Sequence, residues 1–448
     1  MENGLAARHG GRIGLAALVA ILLLGLGLRV AEAWDGRAPV YDAAAYAAIA
    51  ENLASGDGFT VGPAATQPSS NYSPGLPLFV AGLYEATGGE HERLARLVLA
   101  LIGTLSVFFA YLLGRRLAEN VWPALVGAAA VAVYPALLEY QGMLMGEPLA
   151  ATLLSGGVLA LLWAWDDGAS WWRWLLPGAL FGALALVRPE YLAISLLVAI
   201  VVFAREASDD WRRSLLRAAI FLGALALVLA PWTLRNAVAL DRFVPISTGG
   251  GQVLFAGTYL PSDGDPEKVG AEVVAANPDL FQPEDAERLR LEQILARLAA
   301  ERYPGMETDQ ALSRLGEEQL WDGLTEEPAE YAGFVATKVW RIWSQGPRDV
   351  MQEPVWKVLH WALVASGLLG LAILAWRRRW EALLLGTIFL AITALSALLV
   401  ASPRRVLVLV PLLASLTSVA IGWLVSFRGH SAHNSPNAPA SPDSLSRS

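Results

Sequence analysis

Eight apolar runs, at 13–33, 93–113, 121–138, 146–165, 213–234, 356–376, 380–400 and 404–425, are each long enough to cross a bilayer. About 20 residues of helix suffice for a hydrocarbon core of ~30 Å. The stretch 171–204 has room for two more, 171–187 and 189–204, broken at Arg188-Pro189-Glu190. Backbone in lipid must satisfy its own hydrogen bonds, so such runs fold as helices. The expected fold is an all-α polytopic membrane protein of about ten transmembrane helices. Composition agrees: 55% of the 448 residues are hydrophobic and 17% charged, against about 25% charged in soluble domains.

Cysteine is absent, which excludes disulfides, thiolate metal sites and a cysteine nucleophile. The five histidines (His9, His91, His360, His430, His433) show no metal-ligand spacing, which argues against zinc-hydrolase chemistry. A net charge of -8 excludes a basic nucleic-acid binder. The sequence demands no cofactor, and divalent-metal dependence stays open.

Basic residues collect in short cytoplasmic loops. With the amino terminus inside, the inner side holds Arg8, Arg12, Arg115, Arg116, Arg173, Arg205, Arg212, Arg213, Arg377 to Arg379 and Arg428. The outer connections are then 34–92, 139–145, 188–190, 235–355 and 401–403. Arg188, Arg235 and the pair Arg404-Arg405 are exceptions on the outer side, and such exceptions need a reason. Ala31-Glu32-Ala33 resembles a signal-peptide cleavage site, but Arg29 interrupts the pattern, so the first run is taken as a span.

Four regions follow: 1–236, a transmembrane module whose first outer loop is 34–92; 237–355, an extracytoplasmic domain; 356–427, the last transmembrane helices; and 428–448, a Ser/Pro/Asn-rich tail expected to be disordered and cytoplasmic. Region 237–355 holds 21 Asp/Glu against 10 Lys/Arg, so it is a distinctly acidic unit. One helical pattern starts at Pro283-Glu284-Asp285, another at Pro328, since proline and acids suit first turns. The tryptophans 340, 343, 356 and 361 mark a bilayer interface. The sextet Gly-Ala-Leu-Ala-Leu-Val occurs at 182–187 and 223–228, but the first outer loop has no second copy, which disfavours an inverted-repeat transporter.

The first outer loop is the densest in chemistry. Asp42 and Tyr46 stand one turn apart on one helix face, and Gly56-Asp57-Gly58-Phe59 ends that helix. Asp42 suits an N-cap; a carboxylate fixed just above the membrane also suits a general base toward a hydroxyl. The two roles are compatible.

Several motifs in order resemble those of polyprenyl-phosphate-sugar-dependent glycosyltransferases, the family 39 or protein-mannosyltransferase-like branch of the GT-C membrane fold. They are Asp42-Ala-Ala-Ala-Tyr46 through Asn52-Leu53, Gly56, Gly58 and Phe59; Pro74-Gly75-Leu76-Pro77; Gly146-Glu147-Pro148; Arg188-Pro189; Pro231-Trp232-Thr233-Leu234-Arg235-Asn236 with Phe243-Val244-Pro245-Ile246-Ser247-Thr248; and Arg404 to Pro411. Ser73 and Arg405 stand where some members carry lysine and tyrosine.

The resemblance implies a donor of one sugar on a polyprenyl phosphate, an acceptor hydroxyl on protein, lipid or polysaccharide, and a bilayer location, with a bacterial plasma membrane expected and the site on its outer face. Asp42 would be the catalytic base and the sugar would be inverted. Arg404, Arg405 and Arg188 would bind phosphate, with snorkelling to headgroups as the alternative. Tyr46 and Glu147 would line the cavity; Glu147 also suits a helix amino terminus on dipole grounds alone. Arg235-Asn236 would instead cap the span before it. Competing classes are a membrane transporter, a glycan ligase or polymerase of another type, and a non-catalytic scaffold that would tolerate Asp42→Asn.

Overall fold

The computed structural model describes residues 2–36, 38–40, 42–61, 68–166 and 170–433, and among them no strand forms. The helices in chain order are α1 (Glu2–Asp35), α2 (Asp42–Ala54), α3 (Gly75–Thr87), α4 (Glu92–Ala118), α5 (Val121–Ala132), α6 (Pro135–Gly142), α7 (Glu147–Asp166), α8 (Leu175–Val187), α9 (Tyr191–Ala204) and α10 (Ala207–Leu240). There follow α11 (Gly250–Thr258), α12 (Val269–Ala276), α13 (Asp285–Arg288), α14 (Leu291–Arg302), α15 (Thr308–Thr325), α16 (Pro328–Ser344), α17 (Pro354–Trp376), α18 (Glu381–Leu398) and α19 (Arg404–His433). Helix α19 extends to His433, and the rest of the tail expected to be disordered, 434–448, lies outside the described residues.

Every expected span is helical. Seven helices, α1, α4, α7, α10, α17, α18 and α19, are long and apolar enough to cross a membrane, and α5 with α6 makes an eighth bent by 43°. Helices α8 and α9 have 13 and 14 residues; at 1.5 Å per residue each rises only about 20 Å. Between them lies Arg188, the residue after α8. At their other ends, Trp174 stacks edge-on against Trp165 at 5.2 Å, and Arg205 lies over Trp380 at 3.9 Å, an aromatic belt of the kind found at bilayer interfaces. Crossing as a pair or not at all, the two short helices change the topology by an even number. Reporter fusions at Arg116 and near Asp285 are therefore expected on opposite sides of the membrane; the same side for both would refute this arrangement.

The α5–α6 bend has a local cause. Pro135 at the first turn of α6 supplies no N–H, so carbonyls at the end of α5 need other donors. Arg29, fully buried in α1, donates to Val131 O and Ala132 O at 3.2 Å each. Helix α1 runs unbroken through Ala31-Glu32-Ala33.

Small residues let the spans approach closely, as is usual where lipid removes the hydrophobic drive between helices. Gly178 and Gly182 of α8 face the α10 backbone: an added Cβ would lie 2.3 Å from Phe221 O and 3.0 Å from Leu225 O respectively. Gly370 meets Leu416 O in the same way at 1.9 Å, joining α17 to α19.

The acidic region builds its own core from Phe255, Val269, Val273, Ile294, Leu295 and Leu312. The helix expected from Pro283 is two, because the chain restarts at Arg290, whose backbone N–H donates to the Gln293 side chain at 2.9 Å in a capping box. Helix α16 begins at Pro328 as expected and buries Tyr331, Phe334, Lys338 and Ile342. It does not run into the next span. It stops at Ser344, and the chain turns before α17.

Candidate active site

Four helix ends converge. Asp42 opens α2, Glu147 opens α7, Arg188 follows α8 and Arg404 opens α19. Arg404 Nη1 donates to Asp42 Oδ2 at 2.9 Å, and its Nε donates to Glu147 Oε1 at 2.6 Å. Arg188 Nη2 donates to the same Glu147 oxygen at 3.0 Å. The Glu147 side chain is 1% exposed, whereas that of Asp42 is 43% exposed. The buried carboxylate thus braces two guanidiniums, and the open one faces whatever enters. Asp42 is the first helical residue of α2 rather than the residue before it, and the partner of its carboxylate is Arg404.

The two arginines retain donor capacity. Arg188 Nε is buried without a partner, and the hydrogen bonds of Arg404 leave its Nη2 unused among the described residues. A buried N–H with no acceptor is uncommon enough to ask what ligand would satisfy it. Tyr46 lies near all four charged groups, and burial pushes its phenol up to about 12, so it remains a neutral donor. Its ring packs edge-on against Tyr72 at 5.8 Å.

Backbone constraints aim these groups. Leu144, buried just ahead of Glu147, has φ 55°, a left-handed conformation costly for such a residue and often found where a site dictates the path. Gly75 of the Pro74-Gly75-Leu76-Pro77 motif opens α3 against the end of α8, where a Cβ would sit 2.7 Å from Val187 N and 2.8 Å from Leu186 C. An alanine must displace the segment that carries Arg188. Gly75→Ala is expected to lower turnover on the order of 10–100-fold through misplacement, while Gly82→Ala, which meets nothing within 4 Å, should be neutral; equal activity of the two variants in a turnover assay would disprove the positioning role.

The remaining motif residues have other duties. Arg235 and Asn236 lie inside α10, which continues to Leu240, so they do not cap it. Arg235 Nη1 donates to Ser69 O at 2.8 Å and its Nη2 to Phe59 O at 3.3 Å, while its guanidinium lies 5.0 Å from the Trp232 ring. Asn236 donates to Val244 O and Ile246 O at 3.1 Å each, and Trp232 Nε1 to Ile246 O at 2.6 Å. Thr248 N then donates to Ser70 O at 2.8 Å. The motif is a clasp that fastens the first outer loop to the α10–α11 connection. It accounts for one outer arginine without phosphate.

Arg405 is also apart from the cluster. Its guanidinium donates to Val400 O and approaches Glu190 at 3.9 Å, so it shapes the turn before α19 and does not join Arg404.

Three features escaped sequence reasoning. Tyr140 places its ring 5.7 Å from the Arg404 guanidinium. Beside it Arg348, at φ 103°, pairs with Glu139 at 2.7 Å. Lys338, 1% exposed and pushed by burial to about 7, donates to Ala397 O at 2.6 Å. Arg348 was discoverable as another outer cation; the other two follow only from packing. Among the described residues no three His, Cys, Asp or Glu side chains gather as a metal site.

Residues 71–234, just over a third of the chain, match the family model for dolichyl-phosphate-mannose-protein mannosyltransferase. That segment contains Glu147 and Arg188 and leaves Asp42 and Arg404 outside it. Among solved structures, the archaeal oligosaccharyltransferase AglB from Archaeoglobus fulgidus, in complex with an inhibitory peptide and a dolichol-phosphate, aligns at 18% identity and TM-score 0.56 over 96% of this chain and 52% of its own. The apo form of the A. fulgidus oligosaccharyltransferase aligns at 18% identity and TM-score 0.57, over 96% and 53%. This chain therefore spans about half the length of those proteins. ArnT from Cupriavidus metallidurans, bound to undecaprenyl phosphate, covers 95% of this chain and 80% of its own at 16% identity. Its TM-score is 0.39. No curated protein sequence matches the chain.

The chain therefore shares its fold with these oligosaccharyltransferases, and the family model matches the segment that carries Glu147 and Arg188.

Proposed function

We propose that the protein transfers a single sugar from a polyprenyl monophosphate to a hydroxyl acceptor at the outer face of a bacterial plasma membrane, with inversion at the anomeric carbon. The observation that carries this reading is the Asp42–Arg404–Glu147–Arg188 cluster, in which an exposed carboxylate pairs with Arg404 and a buried one with both guanidiniums, which have donors to spare. The matched family model describes an enzyme that uses dolichyl-phosphate-mannose, and AglB was solved with a dolichol-phosphate; both fit a lipid-phosphate donor here.

In this reading Asp42 accepts the hydroxyl proton as the acceptor oxygen bonds to the anomeric carbon. The bond from that carbon to the phosphate oxygen breaks on the opposite side, and polyprenyl phosphate leaves with the electron pair. Arg404, with Arg188 behind it, stabilises the charge growing on the leaving oxygen. Glu147 keeps both guanidiniums oriented, since a buried carboxylate between two arginines fixes their planes. Tyr46 donates to the sugar as a neutral phenol. Arg405 acts on this chemistry only by shaping the turn that presents Arg404.

A deletion strain tests the assignment. Mass spectrometry of its envelope glycans should show one glycosyl residue missing, and purified protein should restore it from a synthetic polyprenyl-phosphate sugar. An unchanged envelope together with no release of lipid phosphate from any donor tried would overturn the proposal.

A further inference from the structure

The outer domain holds a cavity of about 420 Å³ between α11, α12, α14 and α15, a size typical of small-molecule sites at roughly 300–1,000 Å³. Its floor includes Phe255, 1% exposed, whose ring stacks on Tyr259 at 5.4 Å with the planes 19° apart. Tyr303 adds a third ring to the lining. Around the rim Arg302 Nη2 donates to Asn277 Oδ1 at 3.2 Å, and the Tyr303 hydroxyl donates to Glu318. Arg302 and Glu318 are the only charged residues of the lining, and they offset each other.

These features select a ligand class. A charged ligand would want a net charge opposite to its own, which the lining does not offer. A purely apolar one would leave two amides, a guanidinium, a carboxylate and two phenols desolvated. An extended peptide pairs best with a sheet edge, and the described residues form no strand. A neutral sugar ring has an apolar C–H face for the aromatic rings and hydroxyls on its rim for the polar groups. We propose that this cavity binds a neutral sugar residue, as the anchoring unit of the acceptor; its part in catalysis, though not the binding itself, rests on the transferase reading above.

The cavity is mechanically joined to the charge cluster. Helix α11 supplies Phe255 to it and is followed directly by Tyr259, while Gly257 of the same helix packs against the backbone of Leu399 and Val400, where an added Cβ would lie 2.3 Å from Leu399 C. Val400 N donates to Val253 O at 3.2 Å. Residues 399–403 lead directly to Arg404, so a glycan held by α11 is fastened to the element that presents the phosphate-binding arginine.

Saturation-transfer NMR on the full-length protein in detergent tests this. The probes are methyl α-D-mannoside, methyl β-D-glucoside, maltose, cellobiose and lactose, with glucuronic acid and glucosamine as charged comparators. We expect transfer to ring protons of at least one neutral probe, reduced at least threefold in Tyr259→Leu and in the surface variant Arg302→Ala, and retained in Asp42→Asn. No transfer to any neutral probe, equal transfer in both cavity variants, or preference for a charged comparator would overturn the proposal. Binding with these properties in a preparation that turns over no lipid-phosphate sugar supports the cavity and counts against the transferase reading instead.

Discussion

Replacing Asp42 by asparagine is expected to lower kcat by about 10² to 10⁴, the usual worth of general-base assistance, with insertion and melting behaviour unchanged. Asparagine keeps the shape and can still accept from Arg404 through its amide oxygen, so the cluster should persist. The Asp42 side chain is 43% exposed and that of Arg404 29%; ion pairs this accessible to water contribute little to stability, typically 0–1 kcal/mol. The variant therefore separates chemistry from folding. The measurement is release of polyprenyl phosphate from a saturating donor by purified protein of verified fold. Turnover above about a tenth of wild type would demote Asp42 to the start of a helix.

Arg404→Ala is expected to lower kcat/KM by at least 10²–10³, the range seen on removing one donor to a developing negative charge. It also leaves Glu147, whose side chain is 1% exposed, with Arg188 alone. Breaking a buried pair typically costs 3–5 kcal/mol, so some loss of melting temperature should accompany the loss of activity. The double variant Arg404→Ala with Glu147→Gln resolves the two effects: stability should recover and activity should not. Arg404→Lys should restore only part of the rate, because lysine supplies charge without the planar fork that reaches Asp42 and Glu147 together. Arg405→Ala should spare kcat/KM by comparison and loosen the turn at Val400, since its bonds lie there. Recovery of full activity in the double variant would mean that Arg404 serves only to neutralise Glu147.

The membrane architecture was legible because lipid leaves helices as almost the only choice, and run length then counts them. What run length could not show is contact: 171–187 and 189–204 read as two further spans, and only packing reveals that the break between them brings Arg188 to Glu147. Of the site, Asp42, Glu147, Arg188 and Arg404 were all nameable from motif and placement, because a charge at the outer end of a span needs a reason. Their convergence was not, since Asp42 and Arg404 lie on different helix ends far apart in the chain. Arg235 shows the limit of the same logic. It is an outer cation like Arg404, yet its partners are the carbonyls of Phe59 and Ser69, which periodicity cannot foretell. Lys338 and the strained Leu144 were invisible because neither belongs to a charge pattern or a turn motif.

Single-turnover analysis of a defined polyprenyl-phosphate sugar with a hydroxyl acceptor, reading the anomeric configuration of the product by NMR and the lipid product by mass spectrometry, tests the central claim most directly. A single displacement with Asp42 as the base and Arg404 beside it predicts an inverted glycoside and free polyprenyl monophosphate in equal amounts. A retained configuration, or transfer that leaves the phosphate on the acceptor, would contradict it.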